Sequence, residues 1–232
     1  MSKLLIISST AAELTPLQTF FLCPPFPEFQ ISTVNRHLDV LITGIGMAAA
    51  AFQMGKIPPL KYSALIQAGI AGSFSEQLKL GTVCNVTEDC FSELGAETAD
   101  GFISADAMNL PMDYKFKLHT PTHLKIPEWK KVKGVTVNTV SGRDASIAAL
   151  RARFNPDIES MEGASFAMAC MHHLALLDGG LLKLQMLLQQ KNRIWKLVIH
   201  TLGLHLAPAI VLLLCMQMEH SVSRHFRVRK YN

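Results

Sequence analysis

The chain has 232 residues, of which 49% are hydrophobic and 17% are charged, and its formal net charge is +4. This composition excludes a disordered protein, which needs low hydrophobicity and high net charge, and the length suits one folded α/β domain. The basic residues form no stripe along a helix face, so we expect no nucleic-acid partner. The five cysteines are odd in number and widely spaced, which argues against a disulfide framework and favours the cytoplasm.

Short apolar runs bounded by glycine or polar turns predict buried strands. Segments with helical spacing lie between them, and this alternation predicts a mostly parallel sheet flanked on both sides. We therefore expect an α/β fold of three layers, α/β/α, around a central mixed, mostly parallel sheet. The predicted strands are 4–7, 40–42, 64–67, 82–86 and 134–140, and the predicted helices are 47–54, 147–154 and 161–174.

The stretch 94–128 has few periodic signals and is expected to be irregular. So long an excursion in an α/β enzyme is often a segment that covers substrate or contacts another subunit. A plain surface loop is an equally good interpretation.

Glu13 follows the first predicted strand and stands at the expected start of a helix. A carboxylate at the carboxyl end of a strand, beside the polar turn 8–10, is well placed to activate water. The alternative is a carboxylate that only stabilises the helix dipole. Glu13 alone does not decide between the two.

The motif TGIGMAAAA, 43–51, follows a predicted strand and opens a predicted helix. Glycine lets backbone amides approach a ligand oxygen, and a helix N-terminus favours an anion or a polarised hydroxyl. With only Gly44 and Gly46 present, the full dinucleotide fingerprint is absent. A tight strand-to-helix turn without a ligand is the alternative.

The motif QAGIAGSF, 67–74, lies at the end of another apolar run. Its small residues would let a flat ring lie against the backbone at the carboxyl end of a strand, where open α/β sheets bind ligands. Close packing between strands is the alternative.

The motif DIESMEGASFAMAC, 157–170, places Glu162 at the beginning of an apolar, small-residue helix. A carboxylate on an apolar element needs a partner, and a sugar diol offers two donors in a fixed fork. The alternative is an exposed glutamate at a helix start, and Glu159 is expected to be a surface residue of that kind.

These four motifs, in this order and at these separations, resemble the superfamily of nucleoside phosphorylases and nucleosidases. Its members carry a glutamate after the first strand, a GIG turn, an AGxAGG-like purine loop and a MEGA-like helix. The stretches 84–104 and 134–142 narrow the resemblance to futalosine hydrolases. The resemblance covers about the first three quarters of the chain and implies a nucleoside phosphorylase-like fold.

The resemblance further implies hydrolysis of futalosine, a purine nucleoside, to hypoxanthine and dehypoxanthine futalosine in the futalosine route to menaquinone. It implies a homodimer that needs no cofactor and no metal. The implied catalytic residues are Glu13, which would polarise the attacking water, and Glu162, which would hold the ribose hydroxyls. The residues implied to bind substrate are Gly44, Gly46, Ile70, Ala71, Gly72 and Met161.

Two related activities remain open. A nucleosidase for methylthioadenosine or adenosylhomocysteine would use the same ribose contacts, although the SELGAE stretch at 92–97 favours futalosine. A phosphorylase needs placed basic side chains near the GIG turn, and Arg36 and Arg143 are the only candidates in the sequence.

The chain departs from this pattern after about His172. Relatives place a Ser-Asp or Ser-Asn pair near the purine, but 172–197 contains neither pair and its only acid is Asp178. We therefore divide the chain into a nucleosidase-like domain, 1–196, and an atypical tail, 197–232. One hypothesis is a frameshift in the coding sequence, and an impaired nucleoside-binding homologue is the functional alternative.

Two further possibilities are weaker. A membrane helix at 197–215 is opposed by His200, His205 and Pro208 in the apolar run. A metal site is not expected, because the adjacent His172 and His173 cannot share one helix face.

Overall fold

The computed structural model describes residues 3–58, 62–79, 81–120, 127–172 and 181–189. The strands are β1 (Lys3–Ser8), β2 (Ile31–Asn35), β3 (Leu38–Ile42), β4 (Tyr62–Ser73), β5 (Val83–Cys90), β6 (Gly95–Thr98), β7 (Gly101–Ser104), β8 (Lys115–Lys117), β9 (Lys130–Thr136), β10 (Ile158–Ser160) and β11 (Leu181–Gln189). The helices are α1 (Thr15–Phe21), α2 (Met47–Met54), α3 (Asp144–Phe154) and α4 (Gly163–His172), and one turn of 3₁₀ helix spans Ala11–Leu14.

Within the described ranges, nine strands form one mixed sheet in the order β2-β3-β1-β4-β11-β5-β9-β10, with β8 added to β5. Strands β3, β1, β4 and β11 run parallel to one another, and β9 runs parallel to β5 and β10. The end of β4 also pairs with β10, so this half of the sheet curls back on itself.

The alternation of side chains along β1 separates two cores. Leu4 and Ile6 pack on one face with Leu17 of α1, whereas Leu5 and Ile7 pack on the other face with α2 and α4. Because successive strand residues point to opposite faces, the apolar run 4–7 needs helices on both sides. The predicted three-layer α/β fold is confirmed.

The predicted helix 47–54 is confirmed with the same bounds, and each predicted strand is found. The prediction that 94–128 is irregular is wrong, because β6, β7 and β8 lie within it. The hairpin of β6 and β7 depends on Gly95, where a Cβ atom would lie 2.1 Å from the carbonyl oxygen of Ile103. The strand predicted at 134–140 ends at Thr136.

An ion pair between the buried Asp39 and the partly exposed Lys3 links the amino ends of neighbouring parallel strands. The Asp39 carboxylate accepts hydrogen bonds from Lys3 Nζ (2.8 Å), Thr33 Oγ1 (2.9 Å) and Tyr62 OH (2.9 Å). Burial by itself would raise the pKa of Asp39, but these hydrogen bonds and the charge of Lys3 hold that pKa below its usual value. The charge is therefore retained inside the fold, against a compensating cation.

Strand β11 follows α4 along the chain and lies between β4 and β5. The predicted tail 197–232, the alternative membrane helix 197–215 and the domain boundary after 196 all fall outside the described residues. In the part that the structure describes, no helix is long and apolar enough to cross a membrane.

Candidate active site

Glu13 lies just beyond the carboxyl end of β1, in the 3₁₀ turn. Its Oε2 atom accepts hydrogen bonds from Ser8 Oγ (2.8 Å), Ser9 Oγ (2.8 Å) and the Thr10 amide (2.9 Å). The Thr10 hydroxyl accepts a hydrogen bond from the Glu13 amide, and the Glu13 carboxylate accepts one from the Thr10 amide. This reciprocal pair is a capping box. The polar turn 8–10 therefore fixes the orientation of this carboxylate.

The other oxygen of Glu13 points to the neighbouring strand. Oε1 accepts a hydrogen bond from the Ile70 amide at 3.1 Å, so the motif in β4 and the glutamate after β1 are in contact. A carboxylate oxygen can accept more than one hydrogen bond. Oε1 can therefore accept a further hydrogen bond, such as one from a water molecule.

The GIG turn follows β3 and contains two glycines with backbone angles that suit glycine. Gly44 has φ +82° and Gly46 has φ +95°. A Cβ atom on Gly44 would also lie 2.8 Å from Cε1 of Phe29. The Gly46 amide donates to Glu162 Oε1 at 2.8 Å. The N-terminus of α2 thus faces a carboxylate of the same chain, and the binding of a ligand at this turn stays a prediction.

Glu162 immediately precedes α4, and its carbonyl oxygen accepts the first hydrogen bond of that helix from Phe166. Strand β10 runs antiparallel to the end of β4, with Glu159 opposite Gly72. The chain that leaves β10 therefore returns alongside β4 toward Ile70, where Glu13 is bound. Met161 is half-buried and Glu162 is buried at this position.

The predicted purine loop lies inside β4 rather than after it, because β4 continues to Ser73. Ile70 is half-buried, Ala71 packs into the core with residues of β5 and β8, and Gly72 pairs with β10. A base-binding role for these three residues stays a prediction.

The expectation that Glu159 lies at the surface is wrong. Glu159 is fully buried, because the short strand β10 has β4 on one side and β9 on the other. Its carboxylate accepts hydrogen bonds from the amide and the hydroxyl of Ser141, both at 2.9 Å. Burial raises the pKa of Glu159 against the effect of those hydrogen bonds, and the negative charge of Glu93 raises it further.

The two stretches that narrowed the resemblance are in contact. The Glu93 carboxylate accepts hydrogen bonds from the amide (3.0 Å) and the side-chain nitrogen (2.9 Å) of Asn138. Ser92 Oγ donates to the Thr136 carbonyl at 2.9 Å. These bonds tie the segment after β5 to the segment after β9.

The two basic candidates for a phosphate site are not on the GIG turn. Arg36 lies between β2 and β3, at the amino end of β3, and its Nε atom donates to His37. The five residues of β3 separate it from the turn by about 16 Å at the usual rise per residue. Arg143 is exposed at the start of α3.

Across the described ranges, no group of three His, Cys, Asp or Glu side chains is placed to hold a metal ion. His172 lies 3.6 Å from Asp113. His173 and Asp178 lie outside the described residues, and so does the purine-side segment that follows β11 in sequence.

No protein-family model matches the chain. A futalosine hydrolase of Streptomyces coelicolor is 29% identical over 148 residues, which are 58% of this chain and 61% of that protein. The chain thus spans about three fifths of the length of the curated relative it matches.

Solved structures match over most of the chain. A futalosine hydrolase mutant of Helicobacter pylori matches with TM-score 0.73, 14% identity and coverage of 93% of this chain and 100% of that one. A 5′-methylthioadenosine/S-adenosylhomocysteine nucleosidase of Helicobacter pylori matches with TM-score 0.72, 15% identity and coverage of 93% and 99%. The same nucleosidase of Streptococcus pneumoniae matches with TM-score 0.70, 20% identity and coverage of 91% and 98%.

The chain therefore has the α/β fold of nucleosidases of this type. Within that class its sequence is similar to futalosine hydrolase, and the resemblance predicted from the four motifs is confirmed.

Proposed function

We propose that the chain is an N-glycosidase that hydrolyses futalosine to hypoxanthine and dehypoxanthine futalosine, in the futalosine route to menaquinone. The observation that carries the proposal is that backbone amides of two of the sequence motifs each hold a carboxylate. Glu162 is bound by Gly46 of the GIG turn, and Glu13 is bound by Ile70 of β4. Glu13 is bound near the carboxyl end of β4, and β10, which leads to Glu162, pairs with the same end of β4 at Gly72 and Ser73.

Glu162 is proposed to hold the ribose hydroxyls. Cleavage of an N-glycosidic bond builds positive charge on the ribose, and a fixed carboxylate stabilises that charge as it develops. The side chain is only 7% exposed, so water screens its charge weakly. The Gly46 amide keeps the carboxylate in one orientation before substrate binds.

Glu13 is proposed to position the attacking water. Its Oε2 atom is held by the polar turn, while Oε1 would accept a hydrogen bond from water. The water oxygen would form the new bond to the anomeric carbon as the bond to the purine nitrogen breaks. Glu13 would take the proton that the water loses and release it to solvent, and the departing purine would keep the electrons of the broken bond and take one proton from solvent. One water is consumed and no net proton is gained or lost.

A nucleosidase for methylthioadenosine or adenosylhomocysteine is the second candidate, because structures of such enzymes match nearly as well as futalosine hydrolase does. The contact between Glu93 and Asn138 favours futalosine, since it joins the two stretches that carry the specific resemblance. The position of Arg36, far from the GIG turn, argues against a phosphorylase.

We also propose that the protein acts as a homodimer. Ile45 of the GIG turn and Phe52 of α2 are 62% and 65% exposed, and Met171 of α4 is 50% exposed. These side chains lie on or beside α2 and α4, which pack against each other, and a contiguous exposed apolar patch marks a contact between proteins. Light scattering coupled to size exclusion would give the mass of a dimer, and the mass of one chain would refute this assembly.

A cytoplasmic location is proposed from the cysteines. The described cysteines Cys23, Cys84, Cys90 and Cys170 are free thiols, which is the usual state in a reducing compartment.

The experiment is hypoxanthine release from futalosine by the purified protein, with and without phosphate, beside adenine release from methylthioadenosine. Release from futalosine alone, at a rate independent of phosphate, supports the hydrolase. Preference for methylthioadenosine supports the second candidate, and a strict need for phosphate indicates a phosphorylase. Nucleoside binding without release of base indicates the impaired homologue.

A further inference from the structure

We propose that Thr136 is a positioning residue for Glu162, and that it works by linking the buried carboxylate of Asp89 to the first turn of α4. The inference rests on the proposed nucleosidase activity for its catalytic consequence. The contact itself stands on geometry alone.

The link is a chain of two short hydrogen bonds. The Ala164 amide donates to Thr136 Oγ1 at 2.7 Å. The Thr136 hydroxyl then donates to Asp89 Oδ1 at 2.8 Å. Thr136 and Ala164 are fully buried and Asp89 is 2% exposed, so water cannot replace either bond without entering the core.

The first turn of a helix needs such a partner, because its leading amides have no acceptor within the helix. The residue that precedes α4 is Glu162, whose side chain binds the Gly46 amide. Thr136, from β9, serves the Ala164 amide instead. Strand β9 therefore anchors helix α4 at Ala164, two residues after Glu162.

The direction of the Thr136 hydroxyl follows from the charge of its neighbour. A hydroxyl has one proton and two lone pairs, and a carboxylate accepts that proton, so a lone pair is turned toward the Ala164 amide. The negative charge strengthens both bonds of the chain. The Asp89 carboxylate also lies near the N-terminus of α4, which is the positive end of the helix dipole.

Neighbouring residues hold the two partners in place. A Cβ atom on Gly134 would lie 3.1 Å from Asp89 Oδ2, so glycine there leaves room for this carboxylate. The Thr136 carbonyl accepts hydrogen bonds from the amide (3.1 Å) and the hydroxyl (2.9 Å) of Ser92. The backbone of Thr136 is thus fixed separately from its hydroxyl.

These two sets of bonds allow a matched experiment on the full chain. In Thr136→Val the side chain keeps nearly the same shape but lacks the hydroxyl, and in Thr136→Ser the hydroxyl is kept. Ser92→Ala removes the buried hydrogen bond to the Thr136 carbonyl and leaves the hydrogen bonds from Asp89 through Thr136 to α4 intact. The kcat and KM for hypoxanthine release from futalosine are measured for each variant. Amide hydrogen exchange across 162–166 is measured on the same proteins.

Thr136→Val is expected to lower kcat about ten- to a hundredfold, because small displacements of a reacting group cost that much. KM should change less, since Glu162 acts on charge that develops in the transition state. Thr136→Ser should restore the rate, and Ser92→Ala should lower thermal stability while it keeps kcat. The amide hydrogens at the start of α4 should exchange faster in Thr136→Val and in neither of the other two variants.

Wild-type kcat in Thr136→Val, or an equal loss of kcat in Ser92→Ala, would overturn the positioning role. If the wild-type protein releases no base, the proposed function has failed. The exchange measurement then still tests whether Thr136 holds the first turn of α4. Unchanged exchange at 162–166 in Thr136→Val would then reject the proposal, and faster exchange there alone would support it.

Discussion

Buried carboxylates at the two edges of the parallel strands have different kinds of partner. At the amino edge, Asp39 is paired with the cation Lys3 and with the hydroxyls of Thr33 and Tyr62. At the carboxyl edge, the partners described for Glu13 are the uncharged donors of Ser8, Ser9, Thr10 and Ile70.

This difference separates a carboxylate that supports the fold from one that is suited to chemistry. A cation beside a carboxylate cancels its field, whereas amides and hydroxyls orient the charge and leave it in place. A carboxylate that keeps its charge in a water-poor site can stabilise positive charge that forms on a substrate. We therefore expect substitutions at the carboxyl edge to change rate and substitutions at the amino edge to change stability.

The largest effect is expected for Glu162→Gln. Glutamine keeps an oxygen for the Gly46 amide but lacks the charge, so kcat for hypoxanthine release should fall about a thousandfold while the protein stays folded. Glu76→Gln, the same change at an exposed turn after β4, is the control. A Glu162→Gln protein with the wild-type kcat would remove Glu162 from the mechanism.

At the amino edge, Asp39→Ala should lower the free energy of unfolding by about 3 kcal/mol, because it leaves Lys3 and Tyr62 without their buried acceptor. The kcat of the folded fraction should not change. Because the pKa of Asp39 is lowered in the folded state, its contribution is present above the usual value of 3.8 and is lost as pH falls through the lowered pKa. Urea unfolding at several pH values measures both effects, and an unchanged stability would show that this network is unimportant.

Glu13→Gln should lower kcat about a hundredfold, the usual range for loss of a general base. Its amide group would also face the Thr10 amide, another donor, so a modest loss of stability should accompany the loss of rate. Ser9→Ala, which removes one donor and leaves the carboxylate, is the control for that structural component. Equal rates for the two variants would assign Glu13 to the capping box alone.

The smallest effect concerns Glu159, whose pKa is raised by burial. The folded state then binds more protons than the unfolded state, so stability should fall as pH rises from about 4.5 toward the raised pKa. Glu159→Gln should remove this slope while it keeps contacts to Ser141. Parallel pH dependence of unfolding in the wild type and in Glu159→Gln would contradict the assignment.

Apolar runs predicted the layers well, because β1 and β3 are buried on both faces and cannot be mistaken for loops. Strands β6 and β7 were missed because their side chains are largely exposed and their pairing depends on Gly95. Strand β2 was missed because its side chains are mostly half-buried and carry no continuous apolar run. Helix α2 was found because small residues continue without a break after the GIG turn.

The candidate site was predicted only in part. Glu13 and Glu162 could be named because each stands at a strand or helix end in a recognisable motif. Gly46 and Ile70 were named as substrate-binding residues, but their contacts with the two glutamates could not be predicted, since both act through backbone amides. Asp89 and Thr136 lie in the stretches 84–104 and 134–142 that narrowed the resemblance, but neither was named as a site residue. An acid inside the partly apolar run 83–90 is a signal for a buried partner.

The most direct test compares hypoxanthine release per folded molecule for the wild type, Glu162→Gln and Asp39→Asn. The account predicts equal rates for the wild type and Asp39→Asn and a rate about a thousandfold lower for Glu162→Gln. Equal rates for all three proteins, or a loss of rate in Asp39→Asn as large as that in Glu162→Gln, would contradict the division between the two edges.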